Sequence, residues 1–287
     1  MPAKPTLRLP QAKTSSLPSV ILDNAASLRP KRPGPCSNQA LNISRAVLTA
    51  IMLFFLGGCV TIYNPATQRN ETLLIDTQNE VSLGKNMDQQ LHKELKILDN
   101  PNMQQRVDKI GKKVAGVSDR QDIEYNFRIL ENKELNAFAV PGGFIYVNSG
   151  LMDSANDDEL AGVLAHEIGH IAARHSVKKL QAILGYEIVM SLVLGNSNQQ
   201  TTAKAIDIVF NLTSLGYSRK DEFLADKLAV KYTKKSGFNP QGIITFFKKL
   251  DQEAKKRGTN FNLIFLSSHP PVEKRIENAK EEIASLP

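Results

Sequence analysis

The 287-residue sequence has no tryptophan and only two cysteines, Cys36 and Cys59. Two thiols cannot build a disulfide scaffold, so the fold must rest on a hydrophobic core. No apolar run reaches the 18 or so residues that a membrane-spanning helix needs, which excludes a multi-pass membrane protein. No repeat of 20–50 residues is present, which excludes a tandem-repeat module. An excess of charge of one sign is also missing from most of the chain. The formal net charge is +7, but residues 1–45 hold seven Lys/Arg (Lys4, Arg8, Lys13, Arg29, Lys31, Arg32, Arg45) against Asp23 alone. From Cys59 onward, 29 basic residues face 28 acidic ones. The working part of the chain therefore lacks the basic balance that a nucleic-acid partner requires.

What is present is ordinary globular material, with 41% hydrophobic and 23% charged residues, and this excludes wholesale disorder. Arg45 precedes thirteen uncharged residues, Ala46 to Gly58, laid out as a secretory signal and too short to span a bilayer as a helix. Leu56-Gly57-Gly58-Cys59 resembles a bacterial lipobox, which implies that Cys59 is lipidated and becomes the mature N-terminus. Residues 1–58 read as leader and signal, 59–78 as a polar tether, and 79–287 as the working domain. The Pro- and Ser-rich stretch 1–44 has no hydrophobic periodicity and stands outside the fold.

Apolar residues at helical spacing predict a helix over 79–98, and Pro101 opens a second that Gly116 stops. Alternation over Ile123–Leu130 predicts a half-buried strand. Asn136–Val140 and Gly143–Val147, joined at Pro141-Gly142, predict a hairpin. Helices are expected over 157–180, 182–194, 202–214, 219–235, 240–256 and 272–284. The stretch 182–194 carries Glu187, is too short to span, and reads as a core helix, with a surface patch resting against lipid as the alternative. The expected class is α+β, helix-rich, with one small β-sheet.

His166-Glu167-Ile168-Gly169-His170 lies in a helix opened by Asn156-Asp157-Asp158-Glu159, a capping residue and an acidic first turn. Two histidines four apart stand one above the other and can reach a single Zn²⁺ at about 2.0–2.1 Å. Glu167, about 100° round the helix, can hold a water on the metal without being a ligand. With five His and fifteen Glu in 287 residues, such a pentapeptide is expected about 0.005 times by chance. A catalytic zinc needs a third protein ligand. The helix after Tyr217-Ser218 offers Glu222 with Asp226 one turn deeper, where Asp226 can accept the free ring N–H of a ligating histidine. The residues alone leave Asp221, Glu222 and Asp226 open as alternatives for the ligand.

His166-Glu167-x-x-His170, followed by Ser218-Arg219-x-x-Glu222-x-x-x-Asp226, resembles the zinc metallopeptidase family of HtpX, the CAAX prenyl endopeptidases and the periplasmic BepA. Ala172-Ala173-Arg174-His175, Pro141-Gly142-Gly143 and Asn148-Ser149-Gly150-Leu151 extend the resemblance, which covers roughly 79–284. It implies a zincin-like domain with zinc between two helices and Glu222 as the third ligand. Ser268-His269-Pro270-Pro271 through Arg275 resembles a segment whose histidine can approach the zinc, as a plug or a transition-state contact. The chain lacks the long repeat domain of BepA and the membrane helices of HtpX, which implies a lipid-tethered branch.

Among other candidates, His175 lies nine residues after His166, which on a continuous helix puts it on the opposite face and gives it a structural role. His92 is expected on an exposed helix face. Arg219 either orients Glu222 or covers the helix, and Tyr217 either packs or donates to an oxyanion.

The expected activity is zinc-dependent endoproteolysis, with Glu167 as general base and unfolded or misassembled envelope polypeptides as substrates. If Gly143–Val147 is an edge strand, it binds the substrate as an added strand. The expected location is the periplasmic face of a bacterial envelope, anchored in the membrane through lipid. Val60 after the cysteine favours the outer membrane, and envelope assembly partners are possible. The rival reading is a lipid-tethered chaperone with a latent or structural zinc. A third, a mitochondrial inner-membrane protease of the same family, rests on the basic leader.

Overall fold

The computed structural model describes residues 60–198, 200, 201, 204, 217–257 and 272–286. The leader, Cys59, His269 and, apart from Lys204, the helix expected over 202–214 lie outside the described residues.

The stretch read as a tether is a hairpin. Strand β1 (Val60–Asn64) pairs antiparallel with β2 (Arg69–Leu73), Thr61 facing Thr72 and Tyr63 facing Asn70. The turn is built by Asn64, whose side-chain oxygen accepts the N–H of Ala66 at 2.9 Å, and Gln68 takes a positive φ of 55°. Lys178 ties the hairpin to the body through Glu71 at 2.5 Å. Leu73 and Ile75 are buried, so the ordered domain starts well before residue 79. Polar residues on the outward face of a short two-stranded ribbon hid it from a periodicity reading. The structure therefore holds two small sheets rather than one.

Helix α1 (Thr77–Glu94) is capped by Asp76, and α2 (Pro101–Ala115) by Asn100 with Pro101 in its first turn. The main sheet has three strands, β3 (Asn126–Leu130), β4 (Ala137–Val140) and β5 (Phe144–Asn148), in the order β3-β5-β4. Strand β5 runs parallel to β3 and antiparallel to β4. Gly142 and Gly143, at φ 77° and 98°, make the turn between β4 and β5. Phe127, Ile129, Ala137, Ala139, Ile145 and Val147 point into one core and Phe138, Val140, Phe144 and Tyr146 into the other. The sheet is thus buried on both faces, which explains its near-continuous apolar strands.

A short helix α3 (Ser149–Ser154) leads to α4 (Asp157–Ala172), which carries the His-Glu pentapeptide. The helix expected over 157–180 is broken: α4 stops at Ala172, Arg174 turns left-handed at φ 55°, and α5 (His175–Val193) starts afresh. Arg174 holds that conformation by donating to the buried Glu80 carboxylate and to Thr77 Oγ1 at 2.8 Å. Arg120 joins the same carboxylate at 2.7–2.8 Å and donates to the Ile171 carbonyl at 3.0 Å, fastening the end of α4. Helices α6 (Arg219–Lys235), α7 (Gln241–Arg257) and α8 (Val272–Ala284) complete the core on the α4 side. In α5, Leu184, Val189, Leu192 and Val193 are buried while Ile183 and Ile188 are exposed, so only one face of the expected core helix is core. No described helix is long and apolar enough to cross a membrane.

Candidate metal centre

Helix α4 begins with a reciprocal cap: Asn156 Oδ1 accepts the Glu159 N–H at 2.9 Å, and the Glu159 carboxylate accepts the Asn156 N–H at 3.0 Å. Every residue from Glu159 to Ala172 is buried. Helix α6 opens with the same device, Ser218 with Asp221, which puts Glu222 in its first turn and Asp226 one turn on. The two helices cross closely at Gly169, where a side-chain carbon would meet the Ala225 carbonyl oxygen at 3.2 Å and Leu228 Cβ at 3.3 Å. The glycine inside the pentapeptide thus lets α6 come near enough for Glu222 to face the histidines.

There His166 Nε2 and His170 Nε2 stand 3.0 Å apart, and the Glu222 carboxylate lies 3.6 Å from the first and 3.5 Å from the second. Ligands of a tetrahedral ion held at about 2.0–2.1 Å stand about 3.3 Å from one another. The three ligand atoms have that spacing, lie within 4.8 Å of each other, and are buried. The electrostatics agree. Glu222 and Asp226 set two buried carboxylates against the buried guanidinium of Arg275, with the Glu167 carboxyl, pushed up by burial, beside them. Burying such an excess of acidic groups is costly unless a cation offsets it. The donor set fits a divalent metal.

Asp226, expected to accept a ring proton, has its Oδ1 3.0 Å from His166 Nδ1. It also accepts from Arg275 Nε at 2.8 Å and Nη2 at 2.6 Å. Burial alone would raise this carboxyl; the Arg275 charge and hydrogen bonds, with His166, hold it down at about 2. The Arg275 guanidinium lies over the Phe247 ring at 4.3 Å and reaches Glu222 Oε2 at 3.5 Å. Arg219, by contrast, is exposed at the start of α6 and among the described residues makes no ion pair with Glu222. The arginine that serves the site comes from α8, and its only sequence signal is the His-Pro…Arg resemblance.

Glu167 is 3% exposed, and its Oε1 has no hydrogen-bond partner among the described residues. Burial pushes its carboxyl well up and the Glu222 charge adds to this, while Arg275 and the backbone N–H of Ala139, which donates to it, act the other way. Ala139 belongs to β4, which makes that strand the site's neighbour. The expectation of Gly143–Val147 as an edge is corrected: β5 is the middle strand and β4 the edge. The outer side of β3 is covered, because Leu98 N–H donates to the Ile129 carbonyl and Glu131 N–H to that of Lys96, both at 2.8 Å.

His175 is also corrected. The left-handed Arg174 ends the helix that would carry it to the far face, and His175 Nδ1 stands 2.9 Å from His170 Nδ1. Its Nε2 faces Asp221 Oδ1 at 3.4 Å. Burial pushes the His175 imidazole down to about 4, against the pull of Asp221. Tyr217 stacks on the His170 ring, centroids 4.1 Å apart, with its hydroxyl 2.9 Å from Ser176 Oγ, so it packs. His92 is exposed on α1, as expected.

Residues 101–283 match the profile of peptidase family M48. The chain belongs to that family. Metalloprotease YcaL of Escherichia coli is 34% identical over 163 residues, 56% of this chain and 63% of YcaL. The beta-barrel assembly-enhancing protease of E. coli is 25% identical over 236 residues, 79% of this chain and 48% of that protein. Metalloprotease LoiP of E. coli is 28% identical over 166 residues, 56% of this chain and 63% of LoiP. The chain thus spans from about half to just under two thirds of the length of these relatives. In this M48 chain the family match covers both helices that carry the candidate metal ligands.

Proposed function

We propose that the chain is a zinc-dependent endopeptidase acting on extended or unfolded polypeptides of a bacterial envelope. The observation that carries this reading is the convergence of His166, His170 and Glu222 at tetrahedral spacing beside a buried glutamate that is not a ligand. His166, His170 and Glu222 would hold the ion. A bound Zn²⁺ supplies Lewis acidity, making a water nucleophilic near neutral pH and polarising the scissile carbonyl. Glu167 takes the proton of the attacking water at its carboxylate and gives it to the amine nitrogen as the C–N bond breaks.

Strand β4 positions the substrate. Asn148 N–H donates to the Asn136 carbonyl at 2.9 Å, so in this antiparallel register the polar groups of Ala137 and Ala139 point away from β5. The outward N–H of Ala139 serves Glu167, and β4, buried along its length in this structure, is the strand on which an added substrate strand would pair once its cover is displaced. An edge that recognises main chain favours extended segments over folded ones. The beta-barrel assembly-enhancing protease among the relatives supports an envelope setting, with the chain anchored through a lipid on Cys59 at the periplasmic face, and assembly partners beside it.

The test is a casein cleavage assay on purified full-length protein, with metal content measured alongside. One equivalent of zinc, with cleavage lost on chelation and restored by zinc, is expected. Metal-free protein that ignores added zinc overturns the reading.

A further inference from the structure

The two histidines of the metal centre are held from behind by different devices. His166 Nδ1 faces a carboxylate, Asp226, directly. His170 Nδ1 faces another imidazole, His175, at 2.9 Å, and only beyond it, at 3.4 Å from His175 Nε2, comes the carboxylate of Asp221. Helix α6 therefore supplies Glu222 and, on either side of it in sequence, both outer carboxylates.

We propose that His175 is a positioning residue that fixes the tautomer and ring direction of His170 for the metal, and that Asp221 fixes His175 in turn. The inference rests on the metal-centre reading above. A ligating His170 Nε2 must offer its lone pair, so the neutral ring carries its proton on Nδ1. That proton points at His175 Nδ1, which must then be an unprotonated acceptor. Neutral His175 consequently carries its own proton on Nε2, the atom that faces Asp221. The first step follows from two nitrogens at 2.9 Å sharing one proton, and the chain ends beside the Asp221 carboxylate, which at 3.4 Å acts on the last N–H through its charge.

The backbone supports the same conclusion. A non-glycine residue in the left-handed region is disfavoured and persists only where the surroundings fix it. Arg174, at φ 55°, is held there by Glu80 and Thr77. Its effect is to end α4 just past the second ligand and fold His175 back onto it. Tyr217, stacked on the His170 ring, covers one face of it. The strained turn thus has a product, and that product is the contact between the two imidazoles.

The test measures zinc affinity of the full chain by competition with a chromophoric chelator. His175→Phe keeps the ring's bulk without an acceptor and is expected to bind zinc 10- to 100-fold more weakly. His175→Asn, whose side-chain oxygen replaces Nδ1, is expected to stay within about fivefold of the parent. Ring ¹⁵N shifts of the zinc-loaded parent should show His170 protonated at Nδ1 and His175 at Nε2, and this readout stands even if a variant fails to fold. Parental affinity in His175→Phe, or a His175 protonated at Nδ1, overturns the relay while leaving the metal centre intact. A parent that takes up no zinc removes both.

Discussion

Arg275 and Asp226 form a doubly hydrogen-bonded ion pair, at 2.6 and 2.8 Å, buried between α8 and α6 and directly behind a candidate metal ligand. Two long-range contacts thereby converge on His166: the carboxylate that orients it and the guanidinium that keeps that carboxylate charged. Arg275→Met fills similar volume but leaves Asp226 buried without its partner. A loss of about 3–5 kcal/mol in urea unfolding is expected, the usual cost of breaking one side of a buried pair. Zinc affinity should fall as well. An unchanged urea midpoint would show that Asp226 has other compensation.

Glu167 and Glu222 should separate cleanly in a metal assay. Glu167→Gln is expected to retain one equivalent of zinc while cleavage falls by about 10²- to 10⁴-fold, the worth of general acid–base catalysis. Glu222→Gln removes a charged ligand and should lose zinc on gel filtration. Retained turnover in Glu167→Gln would take that residue out of the mechanism.

Strand β4 offers a third prediction, because the outward N–H of Ala137 contributes nothing to the sheet. Proline is tolerated where an edge N–H faces away from its neighbour. Ala137→Pro should therefore keep the sheet's hydrogen bonds, with a melting temperature lowered by the ring added at a buried site, while kcat/KM of the folded variant on an unfolded substrate falls roughly three- to tenfold, about one hydrogen bond. An unaffected kcat/KM would place the substrate elsewhere.

The hairpin's attachment should show in the pH dependence of stability. Burial alone would raise the Glu71 carboxyl, but Lys178, Asn64 and Thr67 outweigh it and hold it below its ordinary value. The folded state then binds protons less readily than the unfolded one. Its stabilisation is complete above the unfolded carboxylate value, about 4.3, and is lost as pH falls through the lower folded one. Glu71→Gln should be less stable than the parent at pH 7, with the gap closing as pH drops below about 4. Urea unfolding at the two pH values measures it, and a gap independent of pH would rule out the charge as its source.

Some of this was legible without coordinates, and the boundary is physical. The i, i+4 histidines, the capped start of their helix and the Glu222/Asp226 pair are local regularities, and the structure brings those four side chains together. The hidden parts depend on events that local patterns do not record. Arg174 turns left-handed with no glycine or proline to announce it, so counting along a continuous helix puts His175 on the wrong face. The parallel pairing of β3 with β5 joins strands that are not consecutive, so the edge passed to β4. Arg275 reaches Asp226 across 49 positions of chain.

The hairpin that replaces the expected tether changes how the molecule would sit if Cys59 carries a lipid. Twenty extended residues would be a leash of about 70 Å, at about 3.3–3.6 Å each. With β1 starting at Val60, that slack is gone, and the enzyme would ride hard against the headgroups instead of sweeping the space above them. Its prey would be whatever polypeptide lingers at the bilayer surface.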